Sequence, residues 1–132
     1  MIGLDTNVLV RYIMQDHAAQ SAAATRLIES LTSEDRGFVP LVALVEFGWV
    51  LESNYELGRD EIAEGYERIL RSRELVVENA EAVWRALRLY ARSKADLADC
   101  LIERSAAAAG CERTMTFDRK AARDCGMQLI AA

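Results

Sequence analysis

Five short apolar runs that do not alternate with polar residues are separated by stretches of helical periodicity, and few folds accommodate that order. Residues 1–4, 37–39, 75–77, 114–117 and 127–130 read as strands, the first of them as a strand covered on both faces. Helical spacing fills the intervals. Val8, Leu9 and Tyr12 follow Asp5-Thr6-Asn7, three residues able to start a helix. Ala23, Leu27 and Leu31 mark a second helix after the polar break at Gln15-Asp16-His17. Pro40 suits the first turn of a third, over residues 41–53, where Glu46 is the only charge in a ten-residue apolar run. That run predicts a helix buried all round. Residues 59–71 carry a stripe of Ile62, Tyr66, Ile69 and Leu70, with Glu61, Glu64, Glu67 and Arg68 on a solvated face. Val83, Leu87 and Tyr90 follow Asn79 as a candidate cap, a helix from Lys94 runs to about Ala109 before Gly110, and a short helix ends near Cys125 before Gly126. Strands alternating with helices predict an α/β layered domain on a mainly parallel sheet.

The 132 residues fit one domain, 1–132, with a real core, and a 52% hydrophobic composition with a single proline leaves little room for linker. No apolar stretch reaches the roughly 18–20 residues of a membrane span. With no basic leader before the first apolar run, the expected compartment is the cytoplasm. Cys100, Cys111 and Cys125 match no zinc spacing and read as spare or buried thiols. Trp49 and Trp84 read as core or interface.

The acids are more informative. Asp5 and Asp118 each end a strand, while Glu46 and the pair Asp96/Asp99 stand on early turns of helices. Functional groups in parallel sheets gather beyond the carboxyl ends of the strands, so four segments should bring acids to one rim. Asp96 and Asp99 are three apart and share a helix face, and Leu97, Ala98, Leu101 and Ile102 suggest a buried turn. Buried carboxylates need a cation or donors. Oxygen ligands without histidine or thiolate suit Mg²⁺ or Mn²⁺, which act mostly on phosphate esters. His17 is the only histidine, so a two-histidine mechanism is excluded, and no nucleophile elbow or Gly-rich phosphate loop occurs. Net charge is −5, the wrong sign for a broad basic face on nucleic acid. Cation-neutralised acids would leave that surface balanced. Plainer roles stand beside these: Asp5, Asp96 and Asp118 as helix caps, Glu46 as partner of a buried arginine.

Ile2-Gly3-Leu4-Asp5-Thr6-Asn7-Val8-Leu9, Val45-Glu46, Ala95-Asp96-Leu97-Ala98-Asp99-Cys100-Leu101-Ile102 and Thr116-Phe117-Asp118 together resemble the PIN-domain family, and within it the VapC-type toxins of toxin–antitoxin pairs. The resemblance spans essentially the whole chain, with the motifs in order. It implies a single-domain three-layer α/β/α sandwich on a mainly parallel central sheet. It also implies Mg²⁺- or Mn²⁺-dependent endoribonuclease activity, homodimerisation, and inhibition by a cognate VapB-type antitoxin covering the acidic groove. By position, Asp5, Glu46, Asp99 and Asp118 match the family acids, Asp5 and Asp99 as direct ligands, and Asp96 matches a commonly acidic neighbour. Asn7 and Thr116 resemble its supporting polar residues. Cys100 departs mildly, standing where a small apolar residue is usual. Arg11, Lys94, Arg119 and Lys120 adjoin these motifs and are candidates for RNA phosphates. The implied reaction is in-line hydrolysis by water, leaving a 5′-phosphate and a 3′-hydroxyl. A non-catalytic PIN-like module binding protein or RNA is the alternative, although no acid is missing here. Phosphatases built on Asp-x-Asp and receiver domains fit less well, because Asn7 takes the second acidic position and Asp5 stands alone.

Overall fold

A computed structural model describes residues 1–132, and the fold is α/β with every strand pair parallel. Chain contacts gather into two compact units, Met1–Glu78 and Asn79–Ala132.

In the first unit the order is β1 (Ile2–Gly3), α1 (Thr6–Met14), α2 (Ala18–Glu29), β2 (Gly37–Val39), α3 (Leu41–Ser53), α4 (Arg59–Arg71) and β3 (Leu75–Val77). The sheet order is β1-β2-β3, with Ile2 opposite Gly37 and Gly37 opposite Leu75. All three strands run the same way, so their carboxyl ends share an edge that leads into Asp5, Pro40 and Glu78. The core is built from Leu9, Val39, Leu44, Phe47, Leu51, Tyr66 and Ile69, each 1% exposed or less. Burial of one such side chain contributes about 1.5–3 kcal/mol. The stripe expected on α4 is the buried one: Ile62, Tyr66 and Ile69 face inward, while Glu61, Glu64 and Arg68 are exposed.

The periodicity misplaced three faces in this unit. β1 is not covered on both faces. As the edge strand it leaves Met1 and Ile2 exposed and buries only the adjoining Leu4. On α2 the inward residues are Ser21, Ala24 and Ile28, whereas Ala23 and Leu27 are exposed; of the expected stripe only Leu31, just beyond the helix, is buried. A serine can face inward because its Oγ accepts the His17 N–H at 3.2 Å, while His17 Nδ1 caps the helix by accepting the Gln20 N–H at 3.1 Å. α3 is not buried all round, since Val42 and Trp49 are 71% and 55% exposed. Pro40 stands at its N-cap position and offers no side-chain bond. Glu78, following β3, supplies that bond instead, its Oε1 accepting the Leu41 N–H at 2.8 Å.

The second unit runs α5 (Ala80–Ala91), α6 (Leu97–Ala108), β4 (Met115–Thr116), α7 (Arg119–Cys125) and β5 (Gln128–Leu129). α5 packs against α6 through a core that includes Val83, Ala86, Leu87, Tyr90, Cys100 and Leu101. Asn79 stands at the start of α5 in the left-handed conformation, φ 58°, and makes no side-chain cap. Gly110 and Gly126 adopt φ 95° and 78° where α6 and α7 end, conformations that a side chain would strain. β4 and β5 pair in parallel, with Met115 opposite Gln128, and are largely exposed. Of the turn around Asp96 and Asp99, Leu97 and Leu101 are buried as expected, but Ile102 is 55% exposed. No helix is long and apolar enough to cross a membrane.

Candidate active site

In the first unit Asp5 is the N-cap of α1, and its Oδ1 accepts the Thr6 N–H at 2.7 Å. The neighbouring residue links it to α3, because the Thr6 hydroxyl donates to Glu46 Oε1 at 2.8 Å. Two acids forty-one positions apart are thereby joined through one threonine. Each keeps its second carboxylate oxygen without a donor. Asp5, Thr6, Asn7 and Glu46 line one cavity of about 650 Å³, within the usual range of ligand clefts. Glu46 is exposed and is paired with no arginine, so the buried ion pair considered for it does not form.

Thr6 was missed as a site residue. It stood inside the Asp5-Thr6-Asn7 segment, but its partner lies forty positions away and no local pattern announces it. Glu78 was missed for the same reason: it fixes the first turn of the helix carrying Glu46 from thirty-seven positions away.

In the second unit Asp96 is the N-cap of α6, with Oδ1 accepting the Ala98 N–H at 3.3 Å, and Asp99 follows on the first turn. Asp118 caps α7, its Oδ1 accepting the N–H groups of Lys120 at 2.8 Å and Ala121 at 3.3 Å. Thr116 holds that corner, its Oγ1 accepting the Asp118 N–H at 3.0 Å. The plain capping role is thus real for Asp5, Asp96 and Asp118, but it engages one oxygen and leaves the other open. Asp99 caps nothing. Burial, then the charges of Asp96 and Asp118, push its carboxyl above the usual range, with Lys120 acting in the opposite direction. Lys94, Arg119 and Lys120 are exposed. Arg11 is not a free cation: its guanidinium bonds to Asp16, Gln20 and Tyr55.

Within each unit the carboxylate oxygens fit a hard divalent cation chemically, being anionic and of the oxygen-donor type such ions take. They do not form a ready-made cage, since no group of three or more His, Cys, Asp or Glu side chains has the geometry to hold an ion.

The raised Asp99 pKa has a consequence for stability. A carboxyl with a folded pKa above its unfolded value leaves the folded state holding more protons. Stability therefore falls as pH rises from the ordinary carboxylate value through the raised one. Asp99→Asn removes the charge that burial and its neighbours oppose. It is expected to raise the metal-free melting temperature at pH 7 by up to about 3 °C, a small gain because solvent screens a half-exposed group. The gain should vanish below about pH 4, where both states are protonated. A lower melting temperature at pH 7 would mean that the carboxylate is favourably held.

Residues 2–125 match the family model described as PIN domain. A protein named VapC ribonuclease, from Aquifex aeolicus (strain VF5), is 26% identical over 117 residues, a span of 89% of this chain and 87% of that protein.

Proposed function

This chain belongs to the PIN-domain family, and from that premise we propose that it is a Mg²⁺- or Mn²⁺-dependent endoribonuclease, the toxin of a type II toxin–antitoxin pair. One observation carries the reading. The chain's ion pairs fall on Asp16, Asp35, Glu81, Glu103 and Asp124 and on none of the five site acids, of which Asp5, Glu46, Asp96 and Asp118 are each held through one oxygen by a hydrogen bond while Asp99 feels the charges of Asp96 and Asp118. Anions held in place without a cation are suited to receive one. The name of the Aquifex aeolicus relative supports the substrate and the toxin role.

Asp5 and Asp99 are the direct ligands in this reading, with Glu46, Asp118 and Asp96 completing the set. Bound there, the divalent ion lowers the pKa of water and offsets charge on the phosphodiester oxygens. The chain's own part is orientation. Thr6 fixes which Glu46 oxygen faces away from its hydroxyl, the Thr6 N–H does the same for Asp5, and the α7 N–H groups do so for Asp118. Held this way, the open oxygens need little reorganisation when water attacks the phosphorus in line. Lys94, Arg119 and Lys120 are exposed cations available to neighbouring phosphates. Val42, Glu46 and Trp49 share a face of α3 by their four- and three-residue spacing, and all three are exposed. A VapB-type antitoxin laid over that face would bury two large apolar side chains while covering Glu46. Homodimerisation and a cytoplasmic setting complete the proposal.

The test is cleavage of single-stranded RNA by the purified chain freed of any co-purifying partner. Activity is expected with Mg²⁺ or Mn²⁺, is abolished by chelator and is restored by adding the ion back. Calorimetry should show Mn²⁺ binding to the parent. Neither cleavage nor Mn²⁺ binding would leave the non-catalytic module as the better description.

A further inference from the structure

The cavity that contains Asp5 and Glu46 has a second wall, built from Arg11, Asp16, Asn54 and Tyr55, which hydrolysis does not require. The Tyr55 hydroxyl donates to Asp16 Oδ2 at 2.8 Å and accepts from Arg11 Nη1 at 3.2 Å. Arg11 Nη1 also reaches Asp16 Oδ1 at 3.3 Å, and Arg11 Nε donates to Gln20 Oε1 at 2.9 Å. Backbone conformation delivers the two partners. Gln15, just before Asp16, and Glu56, just after Tyr55, both adopt φ 53°, left-handed values that are uncommon for residues with side chains. The Tyr55 hydrogen bond, with help from Arg11, holds the Asp16 carboxyl below its usual range.

This clamp leaves specific groups unused. Nε and Nη1 of the guanidinium are engaged, and Nη2 carries no partner. The Asn54 carboxamide also has none. A fixed guanidinium edge matches phosphate oxygens, and a free carboxamide matches the donor–acceptor edge of a nucleobase. The Arg11–Asp16 pair is nearly neutral overall, so this wall is poorly suited to collecting polyanions and better suited to reading one unit of a strand. Sequence-tolerant binding of single strands would instead need a basic groove, which a chain of net charge −5 does not favour.

We propose that this end of the cavity is a single-nucleotide subsite for single-stranded RNA. Arg11 Nη2 meets the phosphate of a nucleotide next to the scissile bond, and Asn54 meets the edge of its base. Tyr55 and Asp16 are positioning residues that hold Arg11. The proposal rests on the nuclease reading and adds the origin of its sequence preference.

The test uses full-length parent, Arg11→Lys, Tyr55→Phe and Asn54→Ala, each checked for folding by circular dichroism, on oligoribonucleotides differing by one base. Arg11→Lys keeps the charge but loses the fork, and Tyr55→Phe removes only the hydroxyl. Both are expected to raise KM about tenfold, the loss of roughly one charge-assisted contact, with kcat within about twofold of parent. Asn54→Ala should flatten base preference at one position next to the cut. A second readout needs no divalent ion: 5′-nucleoside monophosphates should shift the Arg11 Nε–H and Asn54 side-chain NH₂ resonances of the parent. If the parent cleaves RNA and all three variants keep its KM and base preference, the subsite is wrong and the nuclease stands. If the parent cleaves nothing yet the nucleotides shift those resonances, the nuclease reading falls and with it the place beside a scissile bond, leaving only nucleotide binding by Arg11 and Asn54. Neither cleavage nor shifts would remove both.

Discussion

Asp5→Asn is expected to lower RNA cleavage roughly 10³-fold in saturating Mn²⁺ while leaving the melting temperature close to that of the parent. The substitution separates the two jobs of this residue. Asparagine caps helices about as well as aspartate, and its side-chain oxygen can still accept the Thr6 N–H that Asp5 Oδ1 accepts at 2.7 Å. Only the anionic charge is lost, so a fall in kcat reports on chemistry rather than on α1. Glu46→Gln works alike, because its carbonyl oxygen can still accept the Thr6 hydroxyl. Thr6→Val keeps the branched shape and removes only that donor. It should cost about 10–100-fold, the usual scale for a residue that orients a ligand. The order of severity is the prediction: Asp5→Asn and Glu46→Gln well below Thr6→Val, which lies below parent. Retention of more than about a tenth of parental activity by Asp5→Asn in Mn²⁺ would reduce Asp5 to a cap.

What was legible in the sequence divides along physical lines. The α/β fold follows from local signals, apolar runs punctuated by helical periodicity, and those signals hold at short range. The caps at Asp5, Asp96 and Asp118 belong to the same class, since each bonds an N–H one to three residues ahead. Long-range choices were not legible. The run around Glu46 predicted a buried helix, yet Val42 and Trp49 face outward, because hydrophobicity alone does not say which side of a helix finds a neighbour. Ser21 shows the converse, a polar residue facing inward once His17 supplies its donor. Arg11 reads as a surface cation beside an acidic motif until Tyr55, forty-four positions away, arrives with Asp16 to fix it. Side chains that satisfy one another across tens of residues leave no periodic trace. Thr6 and Glu78 belong with them.

Gly48→Ala should destabilise the chain by about 2 kcal/mol, opposite in sign to what helix propensity alone gives, which is a gain of roughly 0.5–1 kcal/mol for replacing glycine inside a helix. The reason lies in α4. The buried Tyr66 hydroxyl donates to the Leu44 carbonyl, which the helical pattern already assigns to the Gly48 N–H. To reach that oxygen the phenol must pass directly over residue 48. A Cβ there would overlap the Tyr66 hydroxyl and stand 3.2 Å from Cζ. The ring cannot swing clear, since it is 1% exposed and packs edge-on against Phe47 with centroids 5.3 Å apart. Overpacking of a filled core costs about 1–3 kcal/mol, and the displaced hydrogen bond about 1 more, together exceeding the propensity gain. The expected fall in melting temperature is roughly 6 °C. Tyr66→Phe supplies the control: without the hydroxyl, Gly48→Ala should cost at least about 1 kcal/mol less, a coupling that a double-mutant cycle reads directly. Gly65→Ala should be milder, because its Cβ would meet Leu51 Cδ1, a movable side-chain tip, at 3.3 Å. Additive Gly48 and Tyr66 effects would show that the close approach of α3 and α4 is not set by this contact. The packing bears on function because Glu46 is two residues from Gly48: an ångström of displacement in α3 moves the carboxylate held by Thr6, and misplacement on that scale can cost about 10²-fold in rate.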